Sequence, residues 1–213
     1  MKPRIALGAL PPRLPLPLGA ICVGTEGNVG IWNPFLGRWG DVGYPGGSKV
    51  RSLARDLLDV VFVVTTDGSV RSWPRADPWS PASRMGNWTL NMLGWDRDAT
   101  LWCVGTAGNV GGWHNNKWLD RGNQGGWTLK MMTWNAGLQL VGVGTKGNVG
   151  IWTGQAWTDL GLMGGWTLKM TAFDKTGRQW GVGTEGNIGL WNGQGWTDLG
   201  IAGGWTVDWL YFS

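Results

Sequence analysis

Histidine is almost missing from this chain, with His114 the single example in 213 residues. That leaves little material for a Ser-His-Asp triad or a histidine-based metal centre, so no catalytic residue, metal or cofactor is expected, and His114 reads as a loop residue. Cysteine is scarce as well. Cys22 and Cys103 each precede the same Val-Gly-Thr element in units of a repeat that are not neighbours. Equivalent points in such units lie farther apart than the roughly 7 Å Cα limit of a disulfide, so both are expected to be free, buried thiols. No apolar run approaches the ~18 residues a membrane span requires, and no membrane insertion is expected. Charge is sparse too, at 15% of residues, with a net +4 to which Lys2, Arg4 and Arg13 of an acid-free N-terminal segment contribute three basic residues. The remainder is nearly neutral, which argues against a nucleic-acid partner, since that would show a basic patch on the folded body.

The opening MKPRIALGALPPRLPLPLGA has the basic start of a secretory signal, yet Pro11, Pro12, Pro15 and Pro17 interrupt its apolar run. Residues 1–18 are therefore expected to be a flexible leader. Secretion is neither required nor excluded, with an extracellular location the preferred of the two.

Glycine and tryptophan are what the chain has in excess, at 39 and 19 residues. Tight turns and short strands with large buried aromatics fit that composition better than helices. Two markers recur. The first is VGTEGNVGIW from Val23, VTTDGSVRSW from Val64, VGTAGNVGGW from Val104, VGTKGNVGIW from Val143 and VGTEGNIGLW from Val182. The second is GGS ending at Ser48, GNW at Trp88, and GGW at Trp127, Trp166 and Trp205. Both occur five times at intervals of 39 to 41 residues, the signature of stacked supersecondary units.

Each unit divides at its Gly, Asn and Asp residues into four runs of strand character, which predicts a four-stranded antiparallel meander. A lone meander leaves one face bare, whereas sheets stacked around an axis cover both. The expectation is an all-β, five-bladed β-propeller occupying residues 19–213. Blade 1 would comprise 19–45 plus 204–213, blade 2 46–85, blade 3 86–124, blade 4 125–163 and blade 5 164–203. The first unit begins at its second strand and the chain ends on an unaccompanied first strand, WTVDWLYF, so the C-terminal strand is predicted to complete the N-terminal blade and close the ring.

The most uniform chemistry lies on one rim, where the turn between the second and third strands meets the link into each first strand. There the T-x-G-N turn supplies Thr25 and Asn28, Thr106 and Asn109, Thr145 and Asn148, Thr184 and Asn187, beside Trp205, Trp88, Trp127 and Trp166. Blade 2 departs, with Thr66, Gly68 and Ser69, and it has Pro81 where the others place Asp41, Asp120, Asp159 and Asp198. One reading is purely structural, with Gly-Asn supplying positive φ for a hairpin. The other is a set of equivalent carbohydrate pockets, in which Thr, Asn and exposed amides bond sugar hydroxyls or an acetamido group and an indole meets the C–H face. Acids recur once per blade, which suits a folding role better than an asymmetric active site, so no enzymatic activity is expected. Arg51, Asn91, Lys130, Lys169 and Asp208, three residues beyond the second marker, are expected to line the central channel, where their mixed signs suit solvation better than a defined ion site.

The elements GGWTLKMMTW, GGWTLKMTAF and GGWTVDWLYF resemble the repeats of tachylectin-type five-bladed propeller lectins, over roughly residues 19–213. The resemblance implies a non-catalytic lectin for N-acetylated amino sugars such as GlcNAc or GalNAc on microbial or cell-surface glycans. It also implies one site per repeat, between neighbouring blades. This repeat is shorter than the family's and its T-x-G-N turn differs, so location and ligand class carry over and individual contacts do not. The expected partner is a glycan bearing N-acetylhexosamine, bound by a monomer through four or five sites. The alternative is a scaffold propeller without sugar binding, using the proline-rich SWPRADPWSPASRMGNW of blade 2.

Overall fold

A computed structural model of the chain describes residues 16, 19–56, 58, 60–73, 85–86, 88–115 and 117–212. Five antiparallel sheets succeed one another along the chain. Blade 1 contains β1 (Ala20–Gly24), β2 (Val29–Asn33) and β3 (Arg38–Gly43), and blade 2 contains β4 (Val50–Arg55), β5 (Val61–Thr65) and β6 (Val70–Trp73). Blade 3 follows with β7 (Leu90–Trp95), β8 (Leu101–Gly105), β9 (Val110–His114) and β10 (Lys117–Asp120). Blade 4 has β11 (Leu129–Trp134), β12 (Leu140–Gly144), β13 (Val149–Trp152) and β14 (Trp157–Asp159). Blade 5 has β15 (Leu168–Phe173), β16 (Gln179–Gly183), β17 (Ile188–Trp191) and β18 (Trp196–Asp198). The last strand, β19 (Val207–Phe212), pairs with β1 from Ala20↔Phe212 to Gly24↔Val207, so the two ends of the chain share one sheet. The fold is a five-bladed β-propeller closed as the repeat phase predicts. A fourth strand in blade 2, expected to open at Trp79, lies outside the described residues, as does the leader except Leu16, which packs into the core.

Alternation explains the core. Successive residues of a first strand face opposite sides of the blade, and both sides are covered by neighbouring blades, so Leu129, Met131 and Met132 are all buried, as are Leu168, Met170 and Thr171. Interfaces between blades are aromatic or hydrogen-bonded. Phe62 meets Trp95 at 4.8 Å between ring centres, Trp180 meets Phe212 at 5.3 Å, and Trp209 Nε1 donates to the Leu53 carbonyl at 2.9 Å. Ala54, Leu93, Met132, Thr171 and Leu210, one from each first strand, line a shared axial cavity of about 140 Å³. First strands are therefore innermost.

Cys22 and Cys103 are free and buried, and burial pushes both thiols far above their ordinary range. His114 is exposed as the last residue of β9, opposite Lys117, rather than in a loop.

Candidate functional site

In blades 1, 3, 4 and 5 the repeated rim is built by three glycines and one tryptophan. In blade 4 the indole of Trp127 lies across the backbone of Gly144 and Gly150, where an added Cβ would sit 3.5 and 2.7 Å from its ring atoms. Its face stacks on Trp157 at 5.7 Å with the planes 25° apart, and Trp166 repeats this on Trp196 at 5.7 Å and 29°. The turn glycine does a different job. Gly147 has φ +82°, and its carbonyl accepts from the Leu168 N–H of the next blade at 3.1 Å. Gly27 with Val50, Gly108 with Leu129 and Gly186 with Val207 make the same bond, at 2.8, 3.1 and 3.0 Å. Each T-x-G-N turn is thus a clasp between consecutive blades.

The asparagine is not a positive-φ residue, contrary to the hairpin reading; only the glycine before it is. Its side chain instead bridges to the fourth strand. Asn148 Nδ2 donates to Asp159 Oδ2 at 3.1 Å, with equivalents Asn109 to Asp120 at 3.1 Å, Asn187 to Asp198 at 3.1 Å and Asn28 to Asp41 at 3.3 Å. The same carboxylates accept from the N–H two residues on, Gly161, Gly122, Gly200 and Gly43, at 2.7 to 2.8 Å. The strand-four aspartates therefore stand beside the turn and belong to the site, which the repeat alone did not reveal. Their eleven- to thirteen-residue offset from the asparagine, preserved in four blades, was the signal available.

Two of these groupings open as surface clefts. One, of about 290 Å³, is lined by Thr25, Glu26, Asn28, Asp41, Trp205 and Thr206. The other, of about 300 Å³, is lined by Trp127, Thr128, Thr145, Lys146, Asn148 and Asp159. Thr25 Oγ1 lies 2.7 Å from Thr206 Oγ1 at the floor of the first. All contributors to each cleft belong to one blade, so the predicted Thr, Asn and Trp come together within a blade and not across the junction of two. Much of each indole is already spent on glycine, and that of Trp127 also on Trp157, so hydroxyl, amide and carboxylate groups supply most of the open chemistry. In blades 3 and 5 the structure holds Thr106, Asn109 and Trp88, and Thr184, Asn187 and Trp166, in the same relation.

A larger cleft, which the repeat did not suggest, does cross a junction. It measures about 400 Å³ and lies between blades 3 and 4, walled by Trp102, Trp134, Leu140, Trp152 and Trp157, with Asp96 and Arg121 among its lining residues. Trp102 is held by its Nε1 donating to Asp96 Oδ2 at 2.9 Å. The equivalent Trp180 is fully buried against Phe212 and donates to Asp174 Oδ2 at 3.0 Å. Burial pushes the Asp174 carboxyl up, but hydrogen bonds from Thr176, Trp180 and Arg178 outweigh it and hold the group well below the carboxylate range. Among the described residues no group of three or more His, Cys, Asp or Glu is placed to hold a metal ion.

No protein-family model matches the chain, and no curated protein matches it. Solved structures do. A structure described as "The de novo evolutionary emergence of a symmetrical protein is shaped by folding constraints" superposes with a TM-score of 0.62 at 15% identity, over 91% of this chain and 97% of that one. "YCF48 bound to D1 peptide" gives 0.56 at 15% identity, over 84% of this chain and 66% of that one. A virginiamycin B lyase from Staphylococcus aureus gives 0.51 at 13% identity, over 86% and 70%. What they share with this chain is the fold.

Proposed function

We propose that the protein is a non-catalytic, multivalent lectin that recognises N-acetylated amino sugars, GlcNAc or GalNAc, on glycans. The carrying observation is the repetition on one rim of a cleft with hydroxyl, amide and carboxylate groups at its open face and an indole in its wall. An acetamido group presents one donor and one acceptor, which suit the Asp and the Thr or Asn of each cleft. Such open polar clefts bind weakly one at a time. Sites facing the same way on one rigid ring gain by about 10²- to 10⁴-fold on a surface that displays many sugars, when geometry lets them engage together. The chain acts as a monomer in this reading and uses no cofactor.

Calorimetric titration with GlcNAc and GalNAc tests it, alongside glycan-array binding. Asn148→Ala with Thr145→Ala is expected to remove one site from the stoichiometry and leave the others. Trp134→Ala, in the junction cleft, is expected to leave every site intact. Loss of all sugar heat in Trp134→Ala and none in the rim variant would move the site to the junction of blades 3 and 4. Absence of heat with either sugar, and of array binding, sinks the lectin reading altogether.

A scaffold reading has its own support in blade 1. Phe35 and Leu36 are 92% and 59% exposed, and Ile31, Val42 and Tyr44 are exposed on the same blade. A protein partner held by the Phe35–Leu36 turn would lose binding in Phe35→Asp, a change expected to leave sugar binding untouched.

A further inference from the structure

Every first strand carries an irregularity at the same position. Strand register skips Arg51 in β4, Asn91 in β7, Lys130 in β11, Lys169 in β15 and Asp208 in β19, so all five are bulged residues. A bulge leaves its residue out of the ladder and re-aims the side chain. These five positions lie on the innermost strands beside the T-x-G-N rim, and at two blade junctions their side chains meet. Arg51 Nη1 donates to Asn91 Oδ1 at 2.6 Å, and Lys169 Nζ donates to Asp208 Oδ1 at 2.5 Å. Arg51 also caps the Thr66 carbonyl at 2.9 Å, and Asn91 Nδ2 donates to the Gly105 carbonyl at 3.2 Å. Lys130 occupies the place between Asn91 and Lys169. It is half-buried and makes no hydrogen bond or ion pair among the described residues.

The ring therefore holds three cations against one carboxylate, and that carboxylate is engaged by Lys169. Burial, with a smaller contribution from Lys169, pushes the Lys130 ammonium below its ordinary value, as expected for a half-desolvated charge without a counter-charge. We propose that the mouth of the central channel, between Lys130 and Lys169, is a binding site for one small oxyanion of the phosphate or sulfate type. A tetrahedral oxyanion presents several acceptors, and each ammonium has donors to match. Since the ring exists once per molecule, its stoichiometry is one, whatever the number of sugar clefts, and the site stands whether or not the rim binds sugar.

Inorganic phosphate is the probe, read by NMR of the lysine side chains in the full chain, with chloride at equal ionic strength as the reference. Saturable shifts at about millimolar phosphate are expected for Lys130 and Lys169, with no comparable change at Lys49, Lys117, Lys146 or Lys175. Lys130→Met is expected to weaken binding about tenfold or more, while Lys130→Arg, which keeps the charge, restores most of it. Lys130→Met is also expected to fold at least as stably as the parent without phosphate, since it removes a half-buried like charge. Equal shifts at all lysines, no saturation, or unchanged affinity in Lys130→Met overturns the proposal.

Discussion

Blade 4 and blade 2 fill equivalent positions with different residues. In blade 4, Trp127 covers Gly144 and Gly150, and Asn148 ties the turn to Asp159. In blade 2 the tryptophan is Ser48 and the two glycines are Thr65 and Arg71, with Arg71 Nη2 donating to Ser48 Oγ at 3.2 Å. The turn there carries its own carboxylate: Asp67 accepts from Thr65 Oγ1 at 2.5 Å and from the Ser69 N–H at 3.1 Å. Indole, glycines and asparagine thus change together, because any one of them alone would leave a void or an overlap. The motif that looks like a recognition signature is a packing unit first, and in our reading it becomes a sugar site where the unit is complete.

Breaking that contrast gives its clearest test, in thermal or denaturant unfolding. Trp127→Ala is expected to cost about 3–5 kcal/mol, because no neighbour can refill the space above two glycines, whereas Ser48→Ala at the same place in blade 2 should stay within about 0.5 kcal/mol. Gly150→Arg should cost about 1–3 kcal/mol by overlap with Trp127. Combined with Trp127→Ser it copies the Ser48–Arg71 pair of blade 2, and a favourable coupling of about 0.5–3 kcal/mol is expected in the double-mutant cycle; simple additivity would mean that the two pairs are not alternative solutions to one packing problem. Asn148→Ala should cost less, about 1 kcal/mol, since its bond to Asp159 is exposed.

Acid gives the smallest effect and distinguishes the blades by carboxylate. Asp67 is held below the ordinary carboxylate value, first by the Thr65 hydroxyl and then by the Ser69 N–H. Asp174 is held below it as well. A carboxyl whose folded pKa is depressed stabilises the fold above its unfolded value of about 3.9, and that contribution fades as pH falls through the folded value. Melting temperature should therefore fall more steeply below about pH 4 in the parent than in Asp67→Asn or Asp174→Asn.

The fold was legible because the repeat carries its own phase: five copies of each marker, and a terminal strand whose partners stand at the other end of the chain. The candidate groups of Thr, Asn and Trp were legible for the same reason. Asp159 and its equivalents as members of the site were not, since the repeat shows that they recur but not which way a side chain turns after a three-residue strand. Nor was the cleft between blades 3 and 4, which exists because Trp102 stays open where Trp180 is sealed by Phe212, a difference that depends on both sides of a junction.

The sequence by itself determined the number of blades, the order of strands and the closure of the ring, since these follow from periodicity and chain direction alone. Only the tertiary structure decided that each rim cleft belongs to one blade, that the turn glycine clasps the next blade, and that the bulged residues of the first strands set Lys130, unpartnered among the described residues, next to the Lys169–Asp208 pair. Those outcomes rest on contacts between residues that are 11 apart for Asn148 with Asp159, 40 for Arg51 with Asn91 and 181 for Thr25 with Thr206. Steric fit and charge balance act there across space, where a one-dimensional pattern carries no distance.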